Sequence, residues 1–77
     1  MENLTEKFIL ESGYFGKSVY DEIPCLFNGD NILLFDKGGF FDAYLHSEGD
    51  GSIFFAVRLF NINEFKNFYL GIEKVKL

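Results

Sequence analysis

The sequence predicts an α+β fold: a four-stranded antiparallel meander with a short N-terminal helix, a C-terminal helix and a final edge strand. Three observations carry this expectation. Apolar stretches at 18–27, 32–35, 40–46 and 53–60 are separated by glycine-bearing turns, each too short for the crossover that a parallel pair needs. After Phe60 the apolar spacing changes: Ile62, Phe65, Tyr69 and Ile72 lie near one helical face. No linker, repeat or low-complexity stretch interrupts the pattern, so residues 1–77 read as one small globular domain.

Taken in order, residues 3–11 fit a short helix with Asn3 as N-cap and Glu6 three residues on. The competing reading is a strand over 7–11. Gly13 and Gly16 bracket Tyr14-Phe15 and end the element. The stretch 18–27 reads as the first strand, placed at an edge or beginning near Pro24 because proline has no backbone donor. Gly29-Asp30 at the centre of Asn28-Gly29-Asp30-Asn31 suits a two-residue hairpin turn. That turn sets Phe27 opposite Ile32, Leu26 opposite Leu33 and Cys25 opposite Leu34. Lys37-Gly38-Gly39 closes a second hairpin with Phe35 opposite Phe41 and Leu33 opposite Ala43.

The third hairpin has a register that its side chains argue for. With Ser47 facing Ile53, the pairs are Leu45–Phe55, Ala43–Val57 and Phe41–Leu59 on one face, all apolar. The other face pairs His46–Phe54, Tyr44–Ala56, Asp42–Arg58 and Phe40–Phe60. A one-residue slip would bury Asp42 against Val57, whereas the preferred register joins opposite charges, worth about 0.2–1 kcal/mol. Asn61 and Glu64 form a second capping box, and Gly71 sits where a helix-ending glycine belongs. The tail 72–77 alternates, with Lys74 and Lys76 suited to an exposed edge.

Size and composition bound the function. A chain of 77 residues has a marginal core, and one cysteine excludes an internal disulfide. One histidine and one cysteine fall short of the four ligands of a structural zinc site. Dense aromatic packing is the remaining resource, from eleven Phe and four Tyr, each removing about 150–250 Å² from water when buried. The net charge is −5 and is unevenly spread. Residues 1–50 carry ten acids against three lysines, a net −7, and residues 51–77 carry two acids against four bases, a net +2. This argues against direct nucleic-acid binding, which needs a basic face, and suits docking on a basic partner. No apolar run approaches the ~20 residues of a membrane span, and the acidic N-terminus does not resemble a secretory signal. The lone thiol fits a reducing compartment, hence the cytoplasm. Frequent Phe, Asn, Ile and Lys with scarce Ala fit a bacterial or phage source.

Candidate chemistry is thin. In the expected register Cys25 and His46 lie about 16 Å apart, from strand spacing and rise, far beyond the ~3 Å of a nucleophile and its base. The 48–51 stretch lacks the alternating ligands and closing glutamate of a calcium loop. Gly13-Tyr14-Phe15-Gly16-Lys17 lacks the spacing of a phosphate loop. The expectation is therefore a protein that is not an enzyme and holds no cofactor or metal.

Both sheet faces read as apolar, and two short helices cover both only if one lies on each. The alternative leaves open a mixed face of Phe40, Asp42, Tyr44, His46, Phe54 and Arg58, with Cys25, Phe27, Ile32 and Leu34 from the first hairpin on the same side. Aromatics with arginine form interface composition. With Glu48 and Asp50 at an exposed acidic turn, these residues are the expected partner-binding set. The fitting function class is an interaction protein that occludes a basic, nucleic-acid-binding surface of another protein. Examples are a phage inhibitor of a defence nuclease or a toxin-immunity protein. A self-assembling homodimeric subunit is the alternative.

Overall fold

Seven elements form, with five strands in the meander where four were expected: α1 (Glu6–Glu11), β1 (Gly16–Tyr20), β2 (Ile23–Asn28), β3 (Ile32–Asp36), β4 (Phe41–His46), β5 (Ile53–Leu59) and α2 (Ile62–Val75). The computed structural model describes residues 2–29, 31–47 and 49–75, with 70–75 described in backbone only. The strands make one antiparallel sheet in the order β1-β2-β3-β4-β5. The extra strand arises because 18–27 breaks at Asp21 and Glu22, whose φ angles of 51° and 68° place both in the left-handed region. They form a two-residue loop between paired Tyr20 and Ile23. Asp tolerates that conformation and Glu has no special aptitude for it, so the sequence carries little of the usual hairpin signal.

Pro24 consequently lies in an interior strand. β2 pairs with β1 along five residues but with β3 only through Leu26, Phe27 and Asn28. The Pro24 end of β2 therefore has no ladder on its β3 side, which is how the missing donor is tolerated.

α1 begins later than expected. Thr5 is the N-cap, its Oγ1 accepting from Phe8 N at 3.1 Å. Asn3 instead bridges to Asn61, flanked by Leu4 N donating to Phe60 O at 3.3 Å and Ile62 N donating to Glu2 O at 3.2 Å. Gly13, at φ 83°, follows the helix as a glycine should. α2 starts with the expected cap: Asn61 Oδ1 accepts from Glu64 N at 2.9 Å, and Glu64 Oε1 reaches back to accept from Phe60 N at 2.7 Å. The helix then runs through Gly71 to Val75. The expected final edge strand is thus absent over 72–75, and residues 76–77 lie outside the described residues. One interior glycine costs only about 1 kcal/mol, too little to stop a helix already capped and packed.

Two hairpin registers differ by one residue from expectation. Leu26 pairs with Leu34 and Phe27 with Leu33, because the loop holds three residues and Asn31 turns left-handed at φ 73°. Leu34 pairs with Ala43 and Phe35 with Asp42, because Lys37 N donates to Phe40 O at 2.8 Å and leaves only Gly38 and Gly39 in the turn. The two slips move Ile32 and Leu34 onto the face of Leu26, Phe41 and Ala43. Leu33 and Phe35 go to the other, with Cys25 and Phe27.

Both helices cover the same face. Ile9 of α1 and Phe65 and Tyr69 of α2 join Leu26, Ile32, Leu34, Phe41, Ala43 and Leu59 in one buried cluster, completed by Leu4 and Phe15. Phe8 meets Phe65 edge-on at 6.2 Å, and Phe15 lies 5.7 Å from Phe65 and 5.9 Å from Tyr69. Buried Asn28 on this face donates from Nδ2 to Tyr14 O at 2.7 Å, fixing the link between α1 and β1.

Leu34 is fully enclosed at the centre of this cluster, so Leu34→Ala is expected to cost about 2–5 kcal/mol in urea unfolding. Glu22→Gly is expected to raise the urea midpoint instead, by relieving a left-handed non-glycine residue held at an exposed turn, a gain of at most about 1–2 kcal/mol.

Candidate functional site

The sheet face opposite the helices carries the candidate site. Among the described residues its buried hydrophobic members are Cys25, Leu33 and Phe35, with Tyr20, Phe27, Tyr44 and Ile53 packed around them. No helix lies over them. They are covered by the curl of the sheet: Tyr20, on β1, donates its hydroxyl to Gly51 O in the β4–β5 turn at 3.0 Å and sets its ring edge-on to His46 at 6.0 Å. Phe35, Tyr44 and Phe55 form a row across β3, β4 and β5, each ring edge-on to the next at 5.3 and 5.6 Å.

Beside this row lies a polar node. Arg58 Nε donates to Asp42 Oδ1 at 2.8 Å, with the Asp42 side chain 7% exposed and that of Arg58 half exposed. The guanidinium carbon stands 4.6 Å above the Phe40 ring, and Phe40 packs on Phe60 at 5.3 Å. The hydrogen bond to Asp42 raises the pKa of Arg58 further, so the pair is an ionic one that neutralises itself. Phe55 and Phe60 remain 54% and 49% exposed. The arrangement offers an aromatic surface with one oriented, charge-neutral pair, and it suits contact.

The expected site residues separate. Phe40, Asp42, Tyr44, His46 and Arg58 share this face. Phe54 does not. β4 and β5 hold the expected register from Phe41–Leu59 to Ala43–Val57, then shift, so Tyr44 pairs with Phe55, Leu45 with Phe54 and His46 with Ile53. The bulge that absorbs Ala56 turns Phe54 to the helix side and brings Phe55 to the aromatic face in its place. Phe55 is the site residue that sequence reasoning missed, because the alternation of 53–59 reads equally well without a bulge.

Asp50 stands at the exposed turn, where its Oδ1 accepts from Ser52 N at 3.0 Å and Ser52 Oγ at 2.7 Å. These bonds lower its pKa, the side-chain bond most. Glu48 lies outside the described residues. Cys25 packs with Leu33 and Phe35, and burial pushes its thiol pKa up. Among the described residues no group of three His, Cys, Asp or Glu side chains is placed to hold a metal ion. No helix among them is long and apolar enough to cross a membrane. A cavity of about 460 Å³ opens on the helix side beside β1 and β2, floored by Leu26, Leu34 and Phe41 and rimmed by Glu6, Lys17 and Asp36. The Glu6–Lys17 pair there is long, at 3.8 Å, and largely solvated.

No protein-family model, curated protein or solved structure matches this chain. The fold and the face described above are therefore the ground for any functional reading. They are those of a small α+β domain consistent with a protein–protein interaction module.

Arg58→Met keeps the bulk over Phe40 but leaves Asp42 buried without its donor, and should cost about 1–3 kcal/mol in chemical denaturation. A second expectation concerns pH. The folded thiol of Cys25 titrates above its ordinary value, so as pH rises past about 8.5 the unfolded chain loses its proton first. Stability should fall through that alkaline range, and Cys25→Ala should flatten the fall in a comparison of denaturant midpoints at pH 7 and pH 10.

Proposed function

We propose that this protein is a non-catalytic interaction module that acts by occupying the surface of another protein, with the aromatic face of its sheet as the docking surface. The observation that carries this reading is the placement of both helices on one face, which leaves Phe55 and Phe60 half exposed around the Asp42–Arg58 pair on the other. An exposed aromatic surface with an arginine among its rings has the composition of an interface core. A self-neutralised pair there can be covered by a partner without stranding a charge.

The partner that fits is a basic protein surface, of the kind that otherwise holds nucleic acid. The chain is acidic, at −5 overall, with the excess in residues 1–50. Carboxylates at the rim, Asp50 among them, would steer it toward positive charge while the aromatics supply buried area. The proposed role is that of a bacterial or phage inhibitor working in the cytoplasm, such as an antagonist of a defence nuclease.

The test is capture from bacterial lysate with wild-type protein and with a Phe55→Ser/Phe60→Ser variant, each captured protein then being challenged with duplex DNA. A nucleic-acid-binding partner retained by the wild type, lost with the variant and displaced by DNA is the expected result. A partner held equally by both proteins overturns the assignment of the face. Indifference to DNA overturns the basic-groove mechanism. Asp50→Lys should weaken capture about tenfold or less, the scale of a rim charge.

A further inference from the structure

We propose that β5 pairs edge to edge with β5 of a second copy across a two-fold axis at Phe54, joining two sheets into one of ten strands. This goes beyond the docking reading above and uses a different surface, the sheet edge rather than the aromatic face.

Among the described residues β5 is the last strand of the sheet and pairs with β4 alone. An open edge of this kind normally carries lysine, proline or an inward charge that discourages pairing. β5 has neither proline nor lysine nor acid, and its one charge, Arg58, is balanced by Asp42 at 2.8 Å. The opposite edge differs: β1 carries Lys17, leads into exposed Asp21 and Glu22, and is tied across the sheet by the Tyr20 hydroxyl.

β5 is also apolar on both flanks. Phe54 is 59% exposed on the helix side, with Leu45 beside it, and Phe55 is 54% exposed on the aromatic side. A strand laid along this edge would be gripped from above and below, which a contact with either face alone would not achieve.

The bulge fixes the register. It reverses the alternation at Ala56, so residues before and after it cannot pair antiparallel with matching faces. Self-pairing must therefore lie within 53–55 or within 57–59. The second would set Arg58 against Arg58, like charges directly opposed. Within 53–55, centring it on Phe54 is the solution that uses all three residues. Phe54 then meets Phe54 of the second copy on one face, and Ile53 meets Phe55 on the other. No like charges oppose. Continued along the strand, the same register carries the turn bearing Asp50 in each copy toward the Arg58 end of the other, a complementary placement. Because the axis stands perpendicular to the sheet, both aromatic faces end on the same side, and the dimer presents one doubled docking surface.

Sedimentation velocity across micromolar to millimolar concentration tests this, with hydrogen exchange of the 53–55 amides as the local readout. Wild type should dimerise, with slowed exchange at 53–55 as concentration rises. Phe54→Lys, at an exposed position, should keep the fold by circular dichroism and weaken the dimer about tenfold or more. Phe60→Ser, on the aromatic face away from the pairing, should leave the dimer unchanged. A wild-type monomer at every concentration overturns the proposal. So does a dimer lost in Phe60→Ser and kept in Phe54→Lys, which would place the contact on the aromatic face instead. Capture of a different protein is read separately, so either proposal can fail while the other stands.

Discussion

Two short helices suffice to cover one face of a five-stranded sheet, and in this chain both lie on the same one. That constraint orders the rest of the molecule. The helix side becomes an ordinary core, closed by Ile9, Phe65 and Tyr69 over Leu34 and Ala43. The other side has to keep water from Cys25, Leu33 and Phe35 with no helix at all. It does so by curling until Tyr20 meets His46 and Gly51, and by setting aromatic rings edge to edge from Phe35 through Tyr44 to Phe55. The cover thins toward β5, where rings are left half in water. The exposed aromatic surface is the unmet remainder of the folding problem.

The charges follow from the same geometry. A carboxylate on the concave side of a curled sheet loses much of its water, and Asp42 accepts a hydrogen bond from Arg58, which in turn rests on Phe40. The node is polar enough to orient a contact and neutral enough not to oppose one. Among the described residues the other acids lie away from this node, in turns, in the N-terminal segment, on the helices and at the end of β3, where solvent screens them. Surface charge and buried contact area are thus divided between rim and face, as in interfaces that use one for encounter and the other for adhesion.

How far the sequence revealed this depends on the physics of each element. The α2 cap was legible because Asn61 and Glu64 act within one turn of chain. The pairing of Phe41, Asp42 and Ala43 with Leu59, Arg58 and Val57 was legible because any slip there opposes a charge to a core residue. The first two registers were not. In each, one residue of loop conformation, the left-handed Asn31 or the tight Gly38-Gly39 turn, decides the facing of a whole strand, and both faces of β3 are apolar enough to accept either answer. The break at Asp21-Glu22 gave no signal because Glu is an unusual occupant of a left-handed turn. The exchange of Phe54 for Phe55 is the same difficulty in smaller form: an exposed alanine absorbs the bulge without leaving a mark in the hydrophobic pattern. The site was therefore visible as a composition and a face, and its membership depended on backbone details that side chains do not encode.

The bridge between Asn3 and Asn61 bears on how the chain finds this fold. Every strand pairs with its immediate neighbour in sequence, so the sheet can grow hairpin by hairpin with little loop entropy to overcome. The N-terminal segment is the exception. Its bonds to Phe60 and Ile62, and the packing of Phe8 and Phe15 on Phe65, join residues fifty or more positions apart. Docking of the two helices is in consequence the one event that must wait for the rest of the chain. Until it happens, the side of the sheet destined to be core is as bare as the aromatic side.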